Sequence, residues 1–194
     1  PVFSRDAVKA FDAVEVHKGS TEGPCPSLCL GHEVRPASEY RGIALRDQLQ
    51  RFLSGEVDLP DLPLPEGFVG ELRGYQEAGV RWLRFLRTVG FNGILADDMG
   101  LGKTVQALVA LLETPGPHLV VAPTSVLQGW QREAARFAPG LSVNLYHGPG
   151  RALNDADLTL TSYTLLRLDR QVLGRRDWGY AVLDESQTIK NPDS

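Results

Sequence analysis

Two short stretches carry side chains that could do chemistry together. The first, GLGKT at 100–104, sets two glycines ahead of a lysine and a hydroxyl. Gly100 and Gly102 leave room for backbone N–H groups to converge on a phosphate, helped by the positive end of the helix that follows. Lys103 would place a point charge against the outer phosphates of a triphosphate, and Thr104 a hard oxygen against magnesium. The second stretch brings Asp184 and Glu185 to the end of the apolar run YAVL. An acid at such a tip can hold magnesium while its neighbour orients and deprotonates an attacking water. Glycines and paired acids also cap ordinary helices, and the pattern G-x-x-x-x-G-K-[ST] expects glycine where Asp97 stands. It is the two stretches together, on one edge of one sheet, that point to nucleotide hydrolysis.

The elements that must position these groups follow from periodicity. GILA at 93–96 is apolar as a buried strand is, and a helix opens at Lys103 and Thr104. HLVVA at 118–122 predicts a second buried strand, followed by a helix with Val126, Leu127, Trp130, Ala134 and Phe137 on one face and Ser125 as its N-cap. Residues 142–146, 158–161 and 180–183 predict three more strands, with a short helix after Ser162 and Tyr163. Strands alternating with helices give an α/β fold, a parallel sheet wound on both faces, whose ligands sit at the carboxyl ends of the strands. Upstream, Tyr75, Ala78, Gly79, Trp82, Leu83, Leu86 and Val89 form an apolar helical stripe. Gln76, at the start of that helix, carries a donor and an acceptor that could read the edge of adenine, or be merely solvated.

Composition excludes several classes. Of the 194 residues 42% are apolar and 23% charged, as in a soluble globular protein. No apolar run is long enough to cross a bilayer and the N-terminus resembles no targeting peptide, so no membrane partner is expected and a cytoplasmic setting, the bacterial cytosol or nucleoid, is. A net charge of −4 argues against an autonomous high-affinity DNA-binding domain but not against a local basic groove. Cys25 and Cys29, with His32 nearby, have the spacing of half a zinc site without a second half; reduced thiols in a loop are the plainer reading. Residues 1–56 are expected to form an N-terminal accessory extension, including a short strand in FDAVEVHKG and an amphipathic helix in YRGIALRDQLQRFLSG. Residues 57–66, with three prolines, form a linker, and residues 67–194 the nucleotide lobe.

With these residues in view, the chain resembles the first motor lobe of the Swi2/Snf2 family, within helicase superfamily 2. LRGYQEAGVRWL at 72–83 is similar to that family's glutamine motif, ADDMGLGKT at 96–104 to its nucleotide loop, and VVAPTSVLQGWQREAARF at 120–137 to its next block. TSYTLL at 161–166 and LDESQTIKNP at 183–192 resemble two more. The resemblance covers about residues 66–194 and accommodates Asp97 at the first loop position. It implies a RecA-like lobe binding ATP and Mg2+, in a protein that translocates on double-stranded DNA without separating the strands. Gln76 would then recognise adenine. Asp98, Met99, Gly100, Leu101, Gly102, Lys103 and Thr104 would surround the phosphates, with Thr104 and Asp184 on the metal and Glu185 acting on water. Pro123, Thr124, Ser125, Ser162 and Tyr163 would face the DNA strand. Ser186 departs from the alanine or glycine usual in the family, which puts coupling between motifs in doubt rather than ATP binding.

The chain begins without methionine and ends ten residues after Asp184, and so is expected to be a fragment lacking the second RecA-like lobe and its arginine fingers. Such fingers contribute roughly 10³ to 10⁵ in turnover, so slow hydrolysis by this chain alone is expected. Two other readings remain open: an ATP-binding regulatory module that relies on a partner chain for hydrolysis, and a small-molecule kinase, for which no acceptor site is visible.

Overall fold

The computed structural model describes residues 2–4, 63–89, 92–95, 97 and 100–188. The predicted elements of the N-terminal extension, Cys25, Cys29 and His32, the loop residues Asp98 and Met99, and most of the TIKNP block lie outside the described residues. In chain order the strands are β1 (Val2–Ser4), β2 (His118–Val121), β3 (Val143–Leu145), β4 (Leu158–Thr161) and β5 (Tyr180–Leu183). The helices are α1 (Gly74–Val89), α2 (Lys103–Leu112), α3 (Thr124–Phe137), α4 (Tyr163–Leu168) and α5 (Arg170–Leu173). The sheet order is β1-β5-β2-β4-β3. Four strands are parallel, with Val120 opposite both Leu160 and Val182, and β1 runs antiparallel along β5, Phe3 facing Ala181.

Every residue of β2, β4 and β5 is buried, which is the consequence of covering a parallel sheet on both faces. The alternation of side chains then divides the core in two. Val120, Leu158, Leu160, Tyr180 and Val182 face α1, α2 and α3, where they meet Leu83, Leu108, Leu111, Leu127, Trp130 and Ala134. Leu119, Val121 and Leu183 face the other way, toward Tyr146, Leu173 and Trp178 beside α4 and α5. Each buried leucine or valine among them contributes roughly 1.5–3 kcal/mol of transfer free energy. Arg84 Nε donates to Glu113 Oε1 at 2.8 Å and so ties α1 to the end of α2. No helix among the described residues is long and apolar enough to cross a membrane.

Three local expectations are corrected. The apolar run at 93–96 is not a sheet strand among its described residues: Gly93 makes a single bridge, Leu95 is coil, and Ile94 is 58% exposed. A strand needs a free edge, and β5 is already flanked by β2 and β1. Secondly, α3 starts two residues earlier than read, with Pro123 as N-cap and no side-chain capping bond, so Ser125 is not the cap. Thirdly, α1 is rolled slightly from its predicted face. Gln76, Val80, Leu83 and Leu86 are buried while Tyr75 and Ala78 are exposed, because the Gln76 side chain turns inward to the glycine-rich loop before α2.

The start of β2 carries a buried histidine with a fixed proton. His118 is 2% exposed; its Nδ1 accepts from the Tyr180 amide at 3.1 Å, so Nε2 carries the hydrogen and donates to the Thr114 carbonyl, also at 3.1 Å. Burial pushes its pKa below the ordinary 6.5. Above that value folded and unfolded chains are both neutral here. Below it the unfolded chain takes up the proton more readily, so stability falls with pH, by at most about 1.4 kcal/mol per unit. Asp157 and Asp169, whose carboxyls are held below the usual carboxylate range by Ser142 and Arg151, act only in a more acid window. Melting temperatures recorded between pH 7.5 and 5.5 should therefore drop, and a His118→Gln variant, less stable throughout, should show a flatter profile. An equal slope in both proteins would refute the assignment.

Candidate functional site

Polar groups gather where β2 and β5 end. Asp184 follows β5 directly and extends its ladder, its amide donating to the Val121 carbonyl at 2.8 Å. Beside it lies an open cleft of about 310 Å³ lined by Asp97, Lys103, Thr104, Asp184, Glu185 and Gln187, with Leu95 and Ala107 on its apolar side. Lysine, hydroxyl and the two acids, from two segments far apart in the chain, thus face one space at the carboxyl edge of the sheet.

The loop before α2 is shaped by its glycines. Gly100 and Gly102 have φ of 84° and 75°, a backbone region that side chains disfavour. A Cβ at Gly102 would stand 2.4 Å from Gln76 Nε2. That amide is spoken for: Nε2 donates to the Leu101 carbonyl at 3.0 Å, and Oε1 accepts from the Arg73 amide at 2.9 Å. Gln76 therefore pins the loop, and one N–H and one lone pair of its amide remain for a base. Lys103 Nζ donates to the Asp97 carbonyl at 2.7 Å. Gln106, fully buried on α2, donates to the Asp97 carboxylate at 3.2 Å, so loop and helix hold each other.

Asp184 is held on every side. Its Oδ1 accepts from the Glu185 amide at 2.9 Å, its Oδ2 from Trp130 Nε1 at 2.8 Å, and its carbonyl from the Tyr163 hydroxyl at 2.7 Å. Burial, then the nearby Asp184 and Glu185 carboxylates, push the Tyr163 hydroxyl far above its usual pKa, so it stays a donor. Glu185 has φ of 51°, a left-handed conformation that costs a non-glycine residue roughly 1–2 kcal/mol. Gln187 Nε2 donates to its carboxylate. Strain of this kind gathers at functional sites.

One helical turn beyond Trp130, the Glu133 carboxylate lies near enough to the Thr104 hydroxyl for that hydroxyl to favour its charged form. Its Oε2 is buried without a partner, and burial raises its pKa. Trp130 and Glu133 were not read as site residues in the sequence. Their spacing of three places both on one face of α3, but their partners lie elsewhere in the chain.

The five residues expected to face DNA divide into two groups. Thr124 and Ser125 are exposed beside Pro123 at the start of α3, free of capping bonds. Ser162 is buried and caps α4 through Leu165 N at 3.3 Å, and the Tyr163 side chain turns in to Asp184. The donor set suits a magnesium ion carried by phosphates. Thr104 and Asp184 offer hard oxygens. Among the described residues no group of three or more His, Cys, Asp or Glu could hold an ion, so water and phosphate would complete its shell, which is magnesium's habit.

A family model described as the SNF2-related domain matches residues 75–194. The chain is 45% identical over 173 residues to Bacillus subtilis YwqA, provisionally named an ATP-dependent helicase/translocase, covering 79% of this chain and 19% of that protein. It is 43% identical over 152 residues to Helicase SWR1 of Saccharomyces cerevisiae, covering 70% of this chain and 10% of that one. The solved SWI2/SNF2 ATPase core of Sulfolobus solfataricus, in complex with dsDNA, superposes with a TM-score of 0.63 at 39% identity, covering 71% of this chain and 30% of that chain. The chain thus spans less than a fifth of the length of these two curated relatives.

Proposed function

The chain belongs to the SNF2-related domain family, and on that premise we propose that it is the ATP-binding lobe of an ATP-dependent double-stranded DNA translocase. The observation that carries this reading is the meeting of Lys103, Thr104, Asp184 and Glu185 in one cleft beside a glycine loop that admits backbone close to a ligand. Gln76 would read adenine with the N–H and lone pair it does not use on the loop. Lys103 would leave the Asp97 carbonyl for the outer phosphates, and Glu185 would take the proton of the attacking water. Magnesium, held by Thr104 and Asp184, would screen the phosphate charge. Thr124 and Ser125, with the first N–H groups of α3, would meet the DNA backbone, and Ser162 and Tyr163 would border the same strand through their main chain. A DNA-bound SWI2/SNF2 core among the structural neighbours supports this placement.

We place the transition-state arginines on a second RecA-like lobe, in the full-length protein or a partner chain: among the described residues lining the cleft none is an arginine. The chain alone should then bind ATP and turn it over slowly. Fluorescent ATP titrated with Mg2+ should saturate the chain, and duplex DNA should bind weakly and with salt sensitivity. Lys103→Ala should weaken the nucleotide about 10- to 100-fold, the size of one charge-assisted contact. Undiminished binding by that variant would remove the nucleotide from this cleft, and rapid DNA-stimulated phosphate release by the wild-type chain would refute the need for outside arginines.

A further inference from the structure

Both groups assigned to the metal are gripped from the same helix. Trp130 Nε1 donates to Asp184 Oδ2 at 2.8 Å, and three residues on, the Glu133 carboxylate lies beside the Thr104 hydroxyl, within its electrostatic reach. The two contacts do complementary things. A carboxylate with Oδ2 tethered to an indole and Oδ1 to the Glu185 amide cannot swing, and a hydroxyl that turned its hydrogen to the neighbouring Glu133 would keep its lone pairs for the cleft. Trp130 is 2% exposed and packed in the core cluster beneath the sheet, so its N–H is aimed by a rigid ring. The same helix begins at Thr124 and Ser125, exposed at the sheet's carboxyl edge. Six residues of helix separate Thr124 from Trp130, about 9 Å of stiff rise.

We propose that Trp130 and Glu133 are positioning residues through which α3 sets the two metal-ligand oxygens, so that DNA engaging the start of α3 alters how the cleft holds magnesium and ATP. This rests on the nucleotide and DNA reading given above. A small shift of α3 changes both grips at once, because two residues on one face of one helix move together. No contiguous relay of further side chains is needed, and the coupling is reciprocal: nucleotide with metal should tighten DNA by the factor that DNA tightens nucleotide.

The experiment measures ATP affinity in Mg2+ and in EDTA, each with and without duplex DNA, for the wild-type chain and for Trp130→Phe, Glu133→Ala and Glu133→Gln. The wild type should bind ATP more tightly with Mg2+, and DNA should enlarge that gain. Trp130→Phe and Glu133→Ala should each cut the Mg2+-dependent gain about 10- to 100-fold, as loss of a group that orients a ligand does, and cancel its response to DNA. Affinity in EDTA should stay within about twofold, which a merely structural defect would not spare. Glu133→Gln still offers an oxygen to Thr104 and should restore most of the gain. Glu133 is only partly buried, so its variants remain informative if the buried indole proves necessary for folding. A Mg2+-dependent gain left intact in Trp130→Phe and Glu133→Ala, or an equal fall in Mg2+ and EDTA, overturns the proposal while the nucleotide reading stands. A wild-type chain that binds no ATP overturns both.

Discussion

Replacing Glu185 by glutamine in the full-length protein is expected to lower ATP turnover by roughly 10²- to 10⁴-fold, the range a positioned general base contributes. Nucleotide affinity should change only a few-fold. The separation follows from geometry. Glu185 lines the cleft, but its amide and carbonyl are already engaged, with Asp184 Oδ1 at 2.9 Å and the Thr188 amide at 2.9 Å, so the backbone turn does not depend on the side chain. The left-handed φ of 51° persists because those bonds hold it, and glutamine tolerates that conformation no worse than glutamate. Asp184→Asn would behave differently. It would weaken an oxygen proposed to touch the metal and so reduce affinity as well as rate. Steady-state phosphate release set beside equilibrium ATP binding distinguishes the two. A Glu185→Gln protein within tenfold of wild-type turnover would show that another group takes the water's proton.

The parts of the fold that were legible in the sequence are those in which one local pattern suffices. The runs at 118–122, 158–161 and 180–183 match β2, β4 and β5, because strands buried on both faces are predominantly apolar, and His118, an exception, has both ring nitrogens hydrogen-bonded. The face of α3 was legible for the same reason: Leu127, Trp130 and Ala134 recur at helical spacing and all are buried. The run at 93–96 has the same local character, yet Ile94 is 58% exposed. Apolarity alone does not create a free strand edge. Nor does the sequence say that Val2–Ser4 pairs with β5, a contact across almost the whole chain.

In the site the same division holds. Lys103, Thr104, Asp184 and Glu185 could be listed from motif spacing because each follows or opens a regular element at its carboxyl or amino end. What fixes them could not be listed. The indole on Asp184 comes from 54 residues away, and the tyrosine hydroxyl on its carbonyl from 21. Tyr163 illustrates how a motif position can hold two meanings. Its main chain sits where a DNA strand is proposed to run, while its side chain serves the aspartate. Gln76 likewise has the donor and acceptor read for adenine, but one of each is already given to the protein.

Gly102→Ala is expected to be the most damaging small substitution in the phosphate loop, and Gly100→Ala provides its measure. The two glycines share a left-handed φ, 75° and 84°, so alanine at either meets the same backbone penalty of roughly 1–2 kcal/mol. They differ in what the methyl meets. At Gly100 it enters open space, whereas at Gly102 it would stand 2.4 Å from Gln76 Nε2. The amide must then move, and two hydrogen bonds that pin Leu101 and Arg73, each contributing roughly 0.5–1.5 kcal/mol, go with it. The total at Gly102, roughly 2–5 kcal/mol, should appear as a lower melting temperature and as ATP affinity reduced by roughly 10²-fold. A double-mutant cycle isolates the collision. Once Gln76→Ala has removed the amide, the added methyl no longer strikes it, so the pair should be less damaged than the sum of the single changes by about 1 kcal/mol or more. Strict additivity, or equal losses at Gly100 and Gly102, would mean that the loop's conformation alone sets the requirement for glycine and that Gln76 does not hold the phosphate loop in place.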